Sequence, residues 1–371
     1  MKRTVTGAAI AASISATGAV AGGLDREPLN YGILFEEGRT LEVTARQATP
    51  DVSGTYTPIF GGGSTGNMAK AFSSLSLGFK DDISDRLSYA ILLGQPIGAD
   101  AAYPSGFYTG LEAHWSSVEA DALLKYRLQG GVSVYGGLRY VNSKANIVLP
   151  NTLMAGSGSY SAQTQSDAKV GYLLGVAYEK PEIALRVALT YTSAIDHAFA
   201  TTENHPAFPT PGNDLSTVTD ITLPESVALD AQTGIAADTL LFGQIRWAEW
   251  SKWHVLPPAY GTYLSGGTEI TGFDHDYVTY TLGLGRKINE NWSVFGALGY
   301  EAAVGGTSSR LAPTDGMKSL ALGAVWTQDK VKMTVGAQYE RLGNTVDSAP
   351  TNTVFSGNHA LVLGVKMNYS F

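Results

Sequence analysis

Three constellations in this sequence have the residue types that do chemistry. Asp274-His275-Asp276 combines carboxylate and imidazole, the usual hard and borderline ligands of divalent metals. Read as strand positions, the two aspartates share one face and His275 takes the other, so the trio alone does not enclose an ion and no metal site is expected. Ser157 sits in Gly156-Ser157-Gly158, but a nucleophile elbow needs a strand-turn-helix setting that is missing here. Of the six histidines, His114, His197, His205, His254, His275 and His359, most fall in loops or at strand ends. None stands beside a strand serine on a shared face, as a Ser-His-acid relay requires. Gly61-Gly62-Gly63-Ser64-Thr65-Gly66 lacks the lysine of a phosphate loop and reads as a flexible tip. There is no cysteine, which excludes thiol catalysis and Cys-ligated metals. No enzyme and no cofactor are expected.

A different chemistry is suggested by apolar and cationic residues. Trp247, Trp250 and Trp253 recur every third position beside Lys252 and His254, with Phe242 and Arg246 just upstream. They have two readings, an apolar capture groove and an interfacial aromatic belt. In a strand, residues three apart face opposite sides, so the three indoles are not expected to form one stripe. Cations at Lys125, Arg127, Arg139, Arg186, Arg246, Lys332 and Lys366 are candidates for a ligand carboxylate, Arg139 and Arg246 foremost. Pairing with Glu119, Asp121, Glu182 or Glu340 is the competing reading. Gly94-Gln95-Pro96-Ile97-Gly98 follows a strand-like run from Leu87 to Leu93. Proline donates no ladder hydrogen bond. This segment is therefore either the end of a strand or a break within one, with Gly94, Pro96 and Gly98 as candidate residues of an opening.

The elements that must position these residues are strands. Toward the C-terminus, Leu361, Leu363, Val365, Met367, Tyr369 and Phe371 share one face, while Val362, Gly364, Lys366, Asn368 and Ser370 share the other. Similar alternation is read over Val331–Glu340, Glu182–Tyr191 and Val118–Arg127, with the charges of each on a single face. A cation facing lipid at mid-membrane costs about 2–4 kcal/mol, so the charged face must be a lumen. Tyr126, Tyr140, Tyr178, Tyr191, Tyr300 and Tyr369 near strand ends suit aromatic girdles. Short turns alternate with long Gly-, Pro- and Ser-rich connections, expected over 54–66, 95–110, 146–160, 197–215, 254–268, 304–316 and 344–356.

The expected fold is all-β, a transmembrane antiparallel up-and-down barrel of about fourteen strands with both termini periplasmic. Charged residues are only 16% of the chain, glycines number 43, and mean hydropathy is close to zero. A helical membrane protein would be far more apolar. With a net charge of −8 and no basic stripe, nucleic acid is not an expected partner. Residues 1–21 read as a secretory signal, with Lys2 and Arg3, an apolar stretch from Gly7 to Val20, and Ala19-Val20-Ala21 for cleavage. Residues 22–38 are then a short plug segment, and 39–371 the barrel.

Several segments together resemble the outer-membrane long-chain fatty-acid transporters of the FadL/TodX type. They are Pro50-Asp51-Val52-Ser53-Gly54, Thr222-Leu223-Pro224-Glu225, Trp247-Ala248-Glu249-Trp250-Ser251-Lys252-Trp253, Gly272-Phe273 with Asp276-Tyr277, Asn291-Trp292 and Asn368-Tyr369-Ser370-Phe371. The resemblance implies a monomeric fourteen-stranded barrel in the outer membrane. Such a barrel takes up fatty acids, aromatic hydrocarbons or other apolar compounds without energy coupling. It also implies a hatch in the lumen, a kinked third strand through which ligand leaves sideways into the lipid, and recognition of the terminal Phe371 by the barrel-insertion machinery. The sequence departs from the family at the hatch, which is short and lacks an Asn-Pro-Ala element. The alternative is a general diffusion porin for small polar solutes, although lumen-facing Leu123, Phe242, Phe295 and Val362 argue against a wet channel.

Overall fold

The computed structural model describes residues 23–371, and the signal segment expected over 1–21 lies outside the described residues. Fourteen antiparallel strands close on themselves. In chain order they are β1 (Thr40–Asp51), β2 (Phe72–Asp82), β3 (Leu87–Gly94), β4 (Glu112–Arg127), β5 (Val132–Leu149), β6 (Asp167–Lys180) and β7 (Leu185–Thr192). There follow β8 (Ser226–Ala236), β9 (Thr239–Ala248), β10 (Tyr277–Lys287), β11 (Trp292–Glu301), β12 (Met317–Gln328), β13 (Val331–Leu342) and β14 (His359–Ser370). Each pairs with its sequence neighbour, and β14 pairs with β1 from Thr40↔Ser370 to Asp51↔His359. Closure leaves no free edge, so the ladders satisfy the backbone groups that would otherwise face lipid.

The period-two pattern explains the two surfaces. Leu282, Leu298, Leu322, Leu363 and Val365 are exposed on the outside, where lipid is their solvent. Glu42, Arg46, Lys80, Glu119, Lys125 and Lys366 are buried on the inside. Inward aromatic rings lie over directly paired glycines. Tyr135 covers Gly175, Phe242 covers Gly283 and Phe295 covers Gly323, and a Cβ on any of these glycines would fall within 2.3 Å of the ring. This lets a large ring lie flat along the wall, as aromatic side chains do when they shield a cross-strand glycine.

Four further strands are outward continuations of barrel strands. Gly98–Ala102 resumes β3, Tyr160–Thr164 leads into β6, Ile195–Asn204 extends β7, and Asp214–Leu223 leads into β8. The expectation that 197–215 is a long loop is corrected, because most of it is a hairpin. Its outer face carries Asp196, Ala198, Ala200 and Thr202 rather than large apolar residues. Strand rising above the lipid needs no apolar band, so it lacks the pattern that marks the rest. Likewise Pro181–Ile183 is a 3-10 turn, and β7 starts at Leu185, because Pro181 opens the turn and Ala184 takes a left-handed conformation.

The N-terminal segment runs through the interior. Its inward-facing partners come from strands all around the wall. Asp25 meets Arg246, Arg26 meets Asp100, Glu27 meets Arg46, Asn30 donates to Glu42, Tyr31 donates to Asp121, and Glu36 meets Lys332. Ile33 and Leu34 are fully buried against Leu92, Leu123 and Leu173.

Candidate functional site

Strand β3 is broken, and the break faces the N-terminal segment. Gly94 pairs with Glu119 and Gly98 with Ser116, so three residues of β3 oppose two of β4. This is the two-against-one bookkeeping of a bulge with one extra residue. On the other side, the ladder between β2 and β3 stops at Leu77↔Leu93, and contact resumes only at the Ala69↔Ala101 bridge. Over Phe72–Ser76, β2 has no ladder partner on that side. The wall is therefore interrupted at Gln95-Pro96-Ile97. Of the two readings of this segment, the strand resumes rather than ending.

The N-terminal segment occupies the interruption from within. The Arg26 N–H donates to Pro96 O at 2.7 Å and the Gly98 N–H donates to Leu24 O at 2.9 Å. Ser74 and Ser76 of the unpartnered stretch donate to Glu27. Side chains at the two glycines would collide with this segment. A Cβ on Gly94 would lie 2.6 Å from Leu29, and one on Gly98 2.6 Å from the Arg26 guanidinium. That guanidinium is fixed by Asp100 at 2.7 Å and by the Phe72 ring at 4.3 Å.

Directly outward of this contact lies an apolar cluster. Leu24, Ile97, Trp115, Phe199, Trp250 and Trp253 are all buried in it. It borders a cavity of about 70 Å³ whose lining includes alanines 99, 101, 113, 145 and 162 with Trp115 and Trp253. A larger hollow of about 450 Å³, lined by Leu153, Met154, Tyr260 and Arg310, lies beyond it, and Thr271 and Leu311 border both. The loops roofing this end pack around Tyr108, which donates to Asp347 and contacts Thr351. Burial pushes the Tyr108 hydroxyl up to about 12, so it stays a donor at neutral pH. Buried Glu203 accepts from Tyr160, Thr217 and the backbone of Ala259 and Tyr260, tying the short helical turn at Pro258–Tyr260 to the hairpin.

The residues singled out in the sequence divide. Trp250 and Trp253 come together, both packed on Phe273 at 5.5 and 5.3 Å between ring centroids. Strand parity does not separate them because Trp250–Lys252 is a 3-10 turn. Neither forms an interfacial belt. Trp247 stays on the outer face, donating to Asp276. Phe242 lies lower, against Gly283. Arg139 makes a two-pronged pair with Glu119 at 2.9 and 3.0 Å, and Arg246 holds Asp25 at 2.6 Å. Lys125 pairs with Glu179 and Lys366 with Glu42. These cations are engaged by protein carboxylates.

Trp115, Leu24 and Ile97 were not singled out for the site. Trp115 was visible as an aromatic on the charged face of β4, two positions before Ser117 and four before Glu119. Asp274 to Asp276 precede β10 rather than lying in it, and Asp276 accepts from Trp247 and Ser251. Ser157 does approach His205, with Oγ 3.3 Å from Nε2. The other ring nitrogen, Nδ1, accepts from the Ala207 N–H. Nε2 therefore carries the proton and cannot take one from the serine.

Residues 34–371 match the model of the family described as outer membrane protein transport protein (OMPP1/FadL/TodX). The chain belongs to that family. It is an outer-membrane transport barrel, not an enzyme. Among solved structures it is similar to a Pseudomonas aeruginosa FadL homologue, with a TM-score of 0.73 at 13% identity, covering 91% of this chain and 92% of that one. It is also similar to the CymD monoaromatic hydrocarbon channel, at 0.62 and 14% over 91% and 89% of the two chains. The Pseudomonas putida toluene transporter TodX gives 0.61 and 12% over 96% and 98%. At these identities the likeness is one of fold. No curated protein is matched by sequence.

Proposed function

We propose that this barrel carries small hydrophobic compounds, such as aromatic hydrocarbons or fatty acids, across the outer membrane by passive facilitated diffusion. The observation that carries this reading is the apolar cavity beside the break in β3, lined by Leu24 and packed in one buried cluster with Ile97 of the break. A compound enters from the outer hollow past Thr271 and Leu311. It rests against Trp115 and Trp253, and leaves sideways between β2 and β3 once residues 24–27 withdraw. In this reading residues 22–38 act as the plug, and Gly94, Pro96 and Gly98 frame the exit.

The closed cavity is smaller than the ~150 Å³ of an engineered apolar cavity that admits benzene. Binding must therefore enlarge it, and Leu24, on a segment outside the barrel ladder, is the wall residue best placed to yield. Apolar burial drives the step at about 0.8 kcal/mol per CH₂.

The test is paired. Single-channel conductance and uptake of labelled toluene and of a labelled long-chain fatty acid are measured in liposomes for wild type and Pro96→Ala. An alanine supplies the backbone N–H that proline lacks, which favours regular strand over the break. Low conductance in wild type, with uptake that falls in Pro96→Ala, supports lateral exit. High, steady conductance with no preference for apolar solutes overturns the reading and makes the protein a diffusion porin.

A further inference from the structure

The outer wall carries a feature that transport through the lumen does not use. Strand register places Tyr300 opposite Lys318, Lys318 opposite Arg341, and Arg341 opposite His359. The row crosses β11 to β14 at the end where the long connections lie. Lys318 and Arg341 are exposed, and their parity with Leu320 and Tyr339 points them outward, away from the lumen.

Two cations directly opposite each other on neighbouring strands have Cα atoms about 5 Å apart and repel. Neither makes an ion pair or a hydrogen bond among the described residues. The nearby carboxylates are committed elsewhere. Asp315 accepts from the Val304 and Gly305 N–H groups at 2.7 and 2.9 Å. Glu301 is buried on the inner face, where Thr279 donates to it. Asp51 stands beyond His359, opposite it on β1 and two strands from Arg341. Lys318, Arg341, Tyr300 and Asn344 line a hollow of about 390 Å³, which Glu301 and Asp315 also border. Other outward positions at this end carry Glu112, Asp196 and Asp220, and Lys144 stands opposite Ser116 rather than another cation.

Directly membrane-ward of the row, the exposed residues are Leu298, Leu320, Tyr339 and Leu361. Moving two residues along a strand covers about 7 Å. The surface thus presents cations at headgroup height and an apolar face below them, the order of groups in a phosphorylated lipid. Cations are tolerated at this depth, where the cost of an outward charge falls away toward the interface.

We propose that Lys318 and Arg341 bind a phosphate of an outer-leaflet glycolipid, whose acyl chains lie along Leu298, Leu320 and Leu361. The anion relieves the repulsion between the two side chains and anchors one lipid on the β11–β14 face.

The test is binding of diphosphoryl lipid A to the detergent-solubilised full-length protein, followed by native mass spectrometry. Dephosphorylated lipid A and inorganic phosphate serve as the other arms. Each cation removed should weaken lipid binding about fivefold, and Lys318→Gln with Arg341→Gln about twenty-five-fold. Arg341→Lys should retain most of it. Without lipid, the double variant should melt no lower than wild type, because a repulsive pair is gone. Should the double variant not fold, Arg341→Gln alone and a salt titration of wild type decide, with binding expected to fall in both. Unchanged binding in the variants overturns the proposal. So does equal binding of the dephosphorylated lipid, or displacement of lipid A by low-millimolar inorganic phosphate.

Discussion

The hold on the N-terminal segment can be measured at one ion pair. Arg246 donates to Asp25 at 2.6 Å through one nitrogen and 3.4 Å through the other, with the two side chains only 18% and 11% exposed. Replacing Asp25 with Asn strands a largely buried guanidinium. Loss of one partner from a fully buried pair costs about 3–5 kcal/mol, and the residual exposure brings the expected cost here to about 2–3 kcal/mol. Most of that cost falls on attachment of residues 24–27, since the barrel ladders do not involve Asp25. The amides of Arg26 and Gly98 report the attachment, because their hydrogen bonds join this segment to the break in β3. In hydrogen exchange these two amides should speed up by about 30- to 150-fold in Asp25→Asn, while amides in β12 and β13 stay unchanged. Arg246→Gln should match it, and the double substitution should cost less than the sum of the two by about 2 kcal/mol. Acceleration below about threefold, or strictly additive effects, would refute the idea that this pair holds the segment in place.

Three other outcomes are expected. Ala145→Phe fills the cavity beside Trp115 and should abolish uptake of apolar solutes. Overpacking costs about 1–3 kcal/mol at one site, so barrel melting followed by circular dichroism should move little. Gly98→Val places a side chain into the fixed Arg26 guanidinium and should expel the segment, seen as raised single-channel conductance. Glu203→Ala removes the acceptor for four donors, at a cost of about 3 kcal/mol or more. Limited proteolysis should then cut within 257–266 well before the barrel melts.

Strands in contact with lipid were legible from the sequence because the membrane imposes a strict alternation. β4, β13 and β14 were read with their faces correctly assigned. Of the carboxylates named as possible partners for the lumen cations, Glu119 meets one, Arg139, whereas Arg246, Lys125 and Lys366 pair with Asp25, Glu179 and Glu42. The legible pattern ends where the lipid ends. Ile195–Asn204 alternates too, but its outer face is small, polar or acidic, so most of it read as part of a loop over 197–215. Trp250 and Trp253 were separated by strand parity, which a 3-10 turn cancels. The cavity was out of reach for a different reason. Its walls come from Leu24, Trp115, Ile221 and Leu311, and such distant positions are brought together only by closure of the sheet.

That closure has a consequence for assembly. The seam joins Thr40 to Ser370, so the cylinder cannot seal until the last strand is available. Residues 24–36 are already gripped by side chains from nearly every quarter of the finished wall. Threading them through a completed cylinder would mean breaking all of those grips at once. The more economical order is for early strands to gather around this segment while the sheet is still an open crescent, with β14 arriving as the final stave. The stretch that lies across the finished lumen would thus first serve as the mandrel on which the vessel is formed.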